Sequence, residues 1–177
     1  MSINWDSARS MLERSLAEVE QALEALLSAM EQKTEALTHF DPDRVEVATT
    51  TCQVAAERLA TAEQQRADAL TVACQQLGLP LDPIPTLTMV ADRAEGSAGD
   101  ELRRRCRALR RLTRQIGRQN GLNGALCEQS LRHVNGFFAA VAKGMRANTG
   151  DSYGPSQQRT RAPAIAAAPV LILDRKA

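Results

Sequence analysis

The chain is poor in aromatic residues: three Phe, one Tyr and one Trp make up 3% of its 177 residues. All-β domains are enriched in aromatic and β-branched side chains, so this scarcity argues against a β-sandwich or a β-barrel. Hydrophobic residues nevertheless reach 44%. The core must then be built from Leu, Val, Met and Ala, most of which are strong helix formers. The composition predicts an all-α protein.

Residues that could bind a metal or form disulfides are also scarce. The four cysteines, Cys52, Cys74, Cys106 and Cys127, contain no Cys-x-x-Cys pair, and the chain has only two histidines. This spacing fits neither a zinc site nor a disulfide framework. We predict free, buried thiols in a reducing cytoplasm, and no metal or cofactor.

No hydrophobic run is long enough to cross a bilayer. The uncharged stretch at 162–173 is about half of the required length, and it contains Pro163 and Pro169. The first residues lack the basic patch and apolar run of a secretory signal. We therefore expect a cytoplasmic protein that does not insert into a membrane.

Each half of the chain lacks charge of one sign. Residues 1–101 contain 7 Lys/Arg and 18 Asp/Glu, whereas residues 102–177 contain 15 and 3. Eight arginines lie between Arg103 and Arg118, and no acidic residue interrupts them. This segment either pairs with the acidic half of the same chain or binds an anionic partner such as nucleic acid. We favour the first interpretation, because no stacking aromatic residues lie among the arginines.

Two segments carry the heptad pattern of a helical hairpin. In the first, large apolar residues advance in alternating steps of four and three, a period typical of helices that supercoil. They are Leu12, Leu16, Val19, Leu23, Leu26, Met30, Leu37 and Phe40, with Lys33 interrupting. The second repeats the pattern with smaller residues, Val45, Ala48, Cys52, Ala55, Leu59, Ala62, Ala69 and Ala73. Pro42 begins the second helix and Gly78 ends it, which predicts an antiparallel coiled-coil hairpin over 3–77.

A proline-rich linker over 78–97, with a short helix at 86–93, leads to a third long helix over 98–147. Its apolar stripe has a gap, in which Asn120-Gly121 and Asn123-Gly124 are typical of turns. Local chemistry slightly favours a break at this gap over a continuous helix. The last segment, 148–177, is polar and then rich in Ala and Pro, which predicts a flexible tail.

A catalytic site has little support. Ser130 and His133 lie three residues apart, with Cys127 nearby, but nucleophilic catalysis also needs a group that orients the base and a site that stabilises an anion. The sequence shows neither, so we do not predict an enzyme.

Three short motifs indicate a family. Residues 123–131 read Asn-Gly-x-Leu-x-x-x-Ser-Leu, residues 153–155 are Tyr-Gly-Pro, and 173–177 form a short apolar and basic ending in Ala. Together with an acidic helical hairpin and a linker, they resemble the FlgN-type flagellar export chaperones. The chain departs from the usual pattern at Ser156 and in a longer basic insert before the tail.

The resemblance implies a bacterial cytoplasmic chaperone of the hook–filament junction proteins, of the FlgK and FlgL type. Such a protein prevents their premature association or degradation and delivers them to the flagellar type III export gate. The resemblance also favours an uninterrupted third helix, which we adopt. The implied client-binding residues are Leu131, Val134, Phe138, Val141, Met145, Tyr153, Gly154, Pro155, Leu171 and Leu173, and Tyr153 is also implied to contact the export gate.

We therefore expect an all-α chaperone domain over 1–147, in which a third long helix packs along the hairpin, followed by a flexible client-binding tail over 148–177. The alternative is a basic helical adaptor that binds nucleic acid or another anionic partner through the Arg103–Arg118 helix. We consider a nucleic-acid partner the weaker hypothesis.

Overall fold

A computed structural model of the chain describes residues 4–82 and 85–148. It contains four helices, α1 (Trp5–Thr38), α2 (Pro42–Gln76), α3 (Leu87–Arg93) and α4 (Gly96–Asn148). The described residues contain no strand, and the all-α prediction is confirmed. The chain divides into two compact units, Met1–Phe138 and Ala139–Ala177. The core clusters of the described residues lie in the first unit.

The turn between α1 and α2 is short, with three residues between the two helices. The Asp41 backbone N–H donates to the Ala36 carbonyl and closes α1, while the Asp41 carboxylate accepts from the Arg44 backbone N–H and opens α2. Pro42 occupies the first turn of α2, where its fixed φ suits a helix start. One aspartate thus ends one helix and begins the next, and the predicted boundary is confirmed.

Phe40 does not continue the seam of α1, as its heptad position predicted. It adopts a φ of +53°, in the left-handed region that favours glycine, and its side chain is exposed. The chain has to reverse direction at this point, and the left-handed residue makes the reversal. The need for a turn therefore overrides the heptad position.

Gly78 ends α2 as predicted. Its φ of +64° allows the Leu79 N–H to donate to the Cys74 carbonyl at 2.9 Å and the Gly78 N–H to donate to the Gln75 carbonyl at 3.2 Å. This pair of bonds satisfies carbonyls that the helix end would leave unpaired. Leu79 then packs against the core, which directs the linker back along the hairpin.

The core consists of two clusters along the helices. One joins all four helices at the open end of the hairpin and includes Leu12, Leu16, Leu70, Val90 and Leu102. The other joins α1, α2 and α4 further along and includes Val19, Leu26, Leu59, Ala62 and Leu112. Leucines of α1 face mainly alanines of α2, which confirms the predicted complementary seam.

Helix α4 runs parallel to α1. Leu102, near the start of α4, packs with Leu12 and Leu16, whereas Leu112 packs with residues further along α1 such as Leu26. The parallel order follows from the connection, because α2 returns the chain to the open end and the linker with α3 crosses over there. Within the first unit, α4 therefore reaches the α1–α2 turn, where His133 lies beside Phe40.

A close contact joins α3 to the start of α4, and Gly99 makes it possible. A Cβ atom on Gly99 would lie 2.5 Å from the Ala94 carbonyl oxygen and 2.7 Å from that of Ala91. We expect Gly99→Ala to lower the free energy of unfolding by about 1–3 kcal/mol through this overlap. Urea unfolding monitored by circular dichroism measures the change.

The matched control is Gly117→Ala in the same helix. No atom lies within 4 Å of the position of its Cβ, so alanine is expected to raise stability by up to about 1 kcal/mol through its better helix propensity. Equal stabilities of the two variants would contradict the proposed contact.

The four cysteines are free thiols, but only one is fully buried. Cys74 lies in the core cluster at the open end of the hairpin, while Cys52, Cys106 and Cys127 are half-buried. The prediction of buried thiols is therefore correct for Cys74 and wrong for the other three, which lie at the edges of the helix contacts. Burial raises the pKa of the Cys74 and Cys52 thiols, which disfavours the reactive thiolate.

Candidate partner-binding surface on α4

A polar network fixes the register of α4 on the hairpin. The Asn123 side chain is buried; its amide nitrogen donates to the Met30 carbonyl at 3.0 Å, and its amide oxygen accepts from the Thr34 hydroxyl at 2.6 Å. The Gln119 amide also donates to the Thr34 hydroxyl. Buried polar groups of this kind are satisfied in one register only. Sliding α4 by one turn would leave them unpaired.

The same network explains why α4 does not break. Asn123-Gly124 was typical of a turn by local chemistry, yet residues 117–124 are helical throughout. The Asn123 side chain bonds across to α1 and not to its own backbone, so its turn-forming tendency is not used. The local preference for a break is wrong, and the continuous helix that we adopted is confirmed.

The hairpin ends beside His133. The exposed Phe40 ring meets the His133 ring edge-on, with a centroid separation of 6.3 Å. Every described side chain from Leu131 to Met145 is classed as exposed. In the first unit, the described helices therefore leave α4 exposed from Leu131 to Phe138.

Large apolar side chains lie on α4 at this point. Leu131 is 55% exposed, Val134 50% and Phe138 64%, and Phe137 lies beside them. We call these four residues the apolar ridge. Leu131, Val134 and Phe138 were predicted to bind the client. Phe137 was not, although its position next to Phe138 could have indicated it.

The apolar ridge continues the buried face of α4. Steps of three and four residues lead from Asn123 through Cys127 to Leu131, and then to Val134 and Phe138. Residues at this spacing lie on one side of an α-helix. The face that packs on α1 near Asn123 is thus the face that carries exposed Leu, Val and Phe further along. An apolar helix face of this kind, left uncovered, is typical of a surface that binds a partner.

The other predicted client-binding residues fall elsewhere. In the second unit, Val141 and Met145 belong to the described end of α4 and are exposed. Tyr153, Gly154, Pro155, Leu171 and Leu173 lie outside the described residues. Their roles remain predictions.

The arginine-rich segment lies mainly toward solvent and not toward the hairpin. Arg105 alone among the eight forms an ion pair with a hairpin residue of the described part, at 3.8 Å from Glu20. Arg103 pairs with Asp92 and Asp100, and Arg104 with Glu101. The interpretation that these arginines neutralise the acidic hairpin is therefore wrong for all but Arg105, because the apolar residues of α4 take the face toward α1.

Glu101 is the acidic residue that anchors this segment. Its carboxylate accepts a hydrogen bond at 2.8 Å from Arg104 Nε and another at 2.9 Å from Arg105 Nε. The bond from Arg104, with the bond from Arg105 and both positive charges adding to it, lowers the Glu101 pKa to about 2. Two guanidinium groups thus hold this carboxylate ionised.

A pH dependence follows from this pKa. Because the folded state lowers the pKa from 4.5 to about 2, the stabilisation is fully present above about pH 4.5 and is lost as the pH falls toward 2. We expect the Glu101 side-chain carbon to titrate with a midpoint near 2 in an NMR titration. We also expect the difference in thermal unfolding midpoint between the wild type and Glu101→Gln to become smaller as the pH falls over the same range. A Glu101 titration midpoint near 4.5 would contradict these contacts.

Neither a metal site nor a membrane span is found among the described residues. They contain no group of three or more His, Cys, Asp or Glu side chains that could hold a metal ion. None of the helices in 4–82 and 85–148 is long and apolar enough to span a membrane.

Comparison with known proteins places the chain in a family. Neither the curated proteins nor the solved structures that were compared give a match. The family model described as FlgN protein matches residues 8–161, which includes most of α1, all of α2, α3 and α4, and the start of the tail. The chain therefore belongs to the FlgN family of flagellar export chaperones.

Proposed function

We propose that the apolar ridge binds hook–filament junction proteins of the FlgK and FlgL type and holds them ready for export in the bacterial cytoplasm. The observation that carries the proposal is the continuity of one helix face. Near Asn123 this face is buried against α1, and from Leu131 onward the same face is exposed and still apolar. A client helix would occupy the place beside α4 that α1 occupies earlier along the helix.

The apolar ridge suits a helical client segment. Side chains at 131, 134 and 138 are spaced as the anchors of helix-in-groove recognition are. Burying each of these side chains contributes about 1.5–3 kcal/mol relative to leaving it in water. The client helix would in turn lose an exposed apolar face that could otherwise self-associate or attract proteases. Such a chaperone therefore needs no chemistry beyond a complementary surface.

The second part of the proposal concerns residues beyond Asn148. The family resemblance assigns Tyr153, Gly154, Pro155, Leu171 and Leu173 to the client-binding segment and Tyr153 also to the export gate. Ordering a segment on binding costs about 2–5 kcal/mol, which lowers affinity and eases release. Transfer of the client at the export gate would depend on this lower net affinity.

Removal of residues 149–177 tests the proposal. Asn148 is the last residue of α4, so the truncation leaves every described helix intact. We expect an unchanged thermal unfolding midpoint and loss of binding to purified junction proteins, measured by isothermal titration calorimetry. A large fall in the midpoint would show that the segment is structural.

The alternative adaptor hypothesis is tested in the same assay. Duplex DNA takes the place of the junction protein, at two salt concentrations. Binding of DNA that weakens steeply with salt, without any binding of junction proteins, would replace the chaperone proposal by the adaptor hypothesis.

A further inference from the structure

Five arginines form a straight row along the outer side of α4. Arg104, Arg107, Arg111, Arg114 and Arg118 follow one another in steps of three and four residues, and all five are exposed. We call them the arginine row. They lie on the side of the helix opposite the core residues Leu102 and Leu112, and the row is about 21 Å long at about 1.5 Å per residue.

Within the described residues, most of the arginine row has no acidic partner. Among the ion pairs of the described residues, Arg104 pairs with Glu101, but none involves Arg107, Arg111, Arg114 or Arg118. Like charges three or four residues apart destabilise an isolated helix. The row therefore weakens the helix that carries it, and the hydrogen bonds and ion pairs of the described residues offer no compensation for its central members.

The remaining part of the chain has few acidic residues. Residues 149–177 contain two acidic residues, Asp151 and Asp174, against four basic residues, Arg159, Arg161, Arg175 and Lys176. This segment is itself positively charged. The charge of the row therefore suits a negatively charged partner from outside the chain.

Two glycines beside the row shape this side of the helix. Gly117 and Gly121 lie about one and two turns beyond Arg114, and both are exposed. No atom lies within 4 Å of the position of a Cβ at either residue, so the packing of this chain does not require a glycine there. Small residues on a helix surface allow a second helix to approach closely.

From these observations we infer that the arginine row, with Gly117 and Gly121 beside it, is a docking surface for an acidic helix of a partner protein. Arginines every 3.5 residues recur at about 5 Å along the axis. Carboxylates placed on one face of a helix in steps of three and four recur at the same spacing. Each guanidinium group can then bind one carboxylate through two parallel hydrogen bonds, in a bidentate geometry.

An acidic helix fits the row better than a nucleic acid does. The phosphates of a duplex strand wind around its axis, so a straight row on one helix follows a given strand over only part of its length. The row also lacks the aromatic side chains on which single-stranded bases stack. This inference is separate from the proposed client site, which lies further along α4.

The test uses the full-length protein and two synthetic peptides. Both have four heptads of the same composition, with Glu in an Ala and Gln background. In the patterned peptide every Glu falls on one helix face in steps of three and four, whereas the scrambled peptide distributes the same residues around the helix. We expect the patterned peptide to bind at least about tenfold more tightly, with an affinity that falls as salt rises.

Two variants locate the site. The triple variant Arg107→Gln, Arg111→Gln and Arg114→Gln is expected to lose at least about tenfold in affinity for the patterned peptide. Its matched control, Arg14→Gln, Arg58→Gln and Arg132→Gln, removes the same charge from exposed positions elsewhere and is expected to change the affinity less than about twofold. Binding of junction proteins is expected to be unchanged in the row variant.

A steric variant tests the helix packing without a change of charge. Leucine at both glycines, Gly117→Leu and Gly121→Leu, fits the free protein because nothing lies within 4 Å, and it favours the helix. We expect weaker binding of the patterned peptide. Unchanged binding would overturn close helix packing at this site.

Other results would overturn the inference. Equal affinity for the patterned and scrambled peptides would show that binding depends on total charge and not on the placement of carboxylates along one helix face. Tighter, row-dependent binding of duplex DNA, or of phosphatidylglycerol-containing vesicles, would assign the row to a nucleic acid or a membrane. Salt-sensitive self-association lost in the row variant would assign it to a second copy.

Discussion

Glutamine at positions 131, 134 and 138 together is expected to abolish binding of junction proteins to the full-length protein. The substitutions Leu131→Gln, Val134→Gln and Phe138→Gln remove three large apolar side chains from the apolar ridge. At about 1.5 kcal/mol or more for each buried side chain, the loss reaches about 4 kcal/mol, or roughly a thousandfold in Kd. Isothermal titration calorimetry with purified junction proteins measures it.

The fold of this variant is expected to be intact. All three side chains are at least half exposed in the free protein, and Gln is a good helix former. The thermal unfolding midpoint should therefore stay within a few degrees of the wild type. A large fall in the midpoint would mean that the ridge is internal core, and the proposed client site would be wrong.

A control on another helix separates the effect of position from that of hydrophobicity. Val47 and Val54 are exposed on α2 at 67% and 61%, outside the apolar ridge. Val47→Gln and Val54→Gln together should leave client binding unchanged. If this control loses affinity as much as the ridge variant does, binding depends on general surface hydrophobicity and not on the ridge.

The second large effect is expected at Leu102. This side chain is fully buried in the cluster where all four helices meet, so Leu102→Ala removes packing from the centre of this cluster and leaves a cavity. We expect a loss of about 2–5 kcal/mol in the free energy of unfolding. In a chain of this size, a loss of about 3 kcal/mol lowers the midpoint by about 6–12 °C.

The control for Leu102 lies in the same helix. Leu122 is 47% exposed, and Leu122→Ala is expected to change stability by less than about 0.5 kcal/mol. Chemical unfolding of both variants compares the two sites. Equal losses would contradict the assignment of Leu102 to the point where the helices converge.

The hairpin could be predicted from the sequence because its signals are local. Each signal acts within a few residues of its own position. These signals are the 3.5-residue period between Leu12 and Leu37, Pro42 at a helix start and Gly78 at a helix end. Phe40 shows the limit of this reasoning. Its heptad position predicted the seam, but the direction of the chain requires a left-handed residue there.

The middle of α4 could not be predicted from local signals. Asn120, Gly121, Asn123 and Gly124 are typical of a turn, and the family resemblance, not the residue chemistry, indicated a continuous helix. The deciding contacts join Asn123 to Met30 and Thr34 of α1, about ninety positions earlier in the chain. Local sequence patterns do not predict a hydrogen bond between residues so far apart in the sequence.

The amino-acid sequence by itself determined the helical class, the hairpin and its ends, and the presence of an apolar stripe near 131–145. Only the tertiary structure decided that the stripe from Leu131 to Phe138 is exposed and that most of the arginines lie away from the hairpin. Periodicity shows which residues share a helix face, but not which face a neighbouring helix covers or where that neighbour ends. Those two facts depend on the register between α1 and α4, which long-range packing and the buried Asn123 network set.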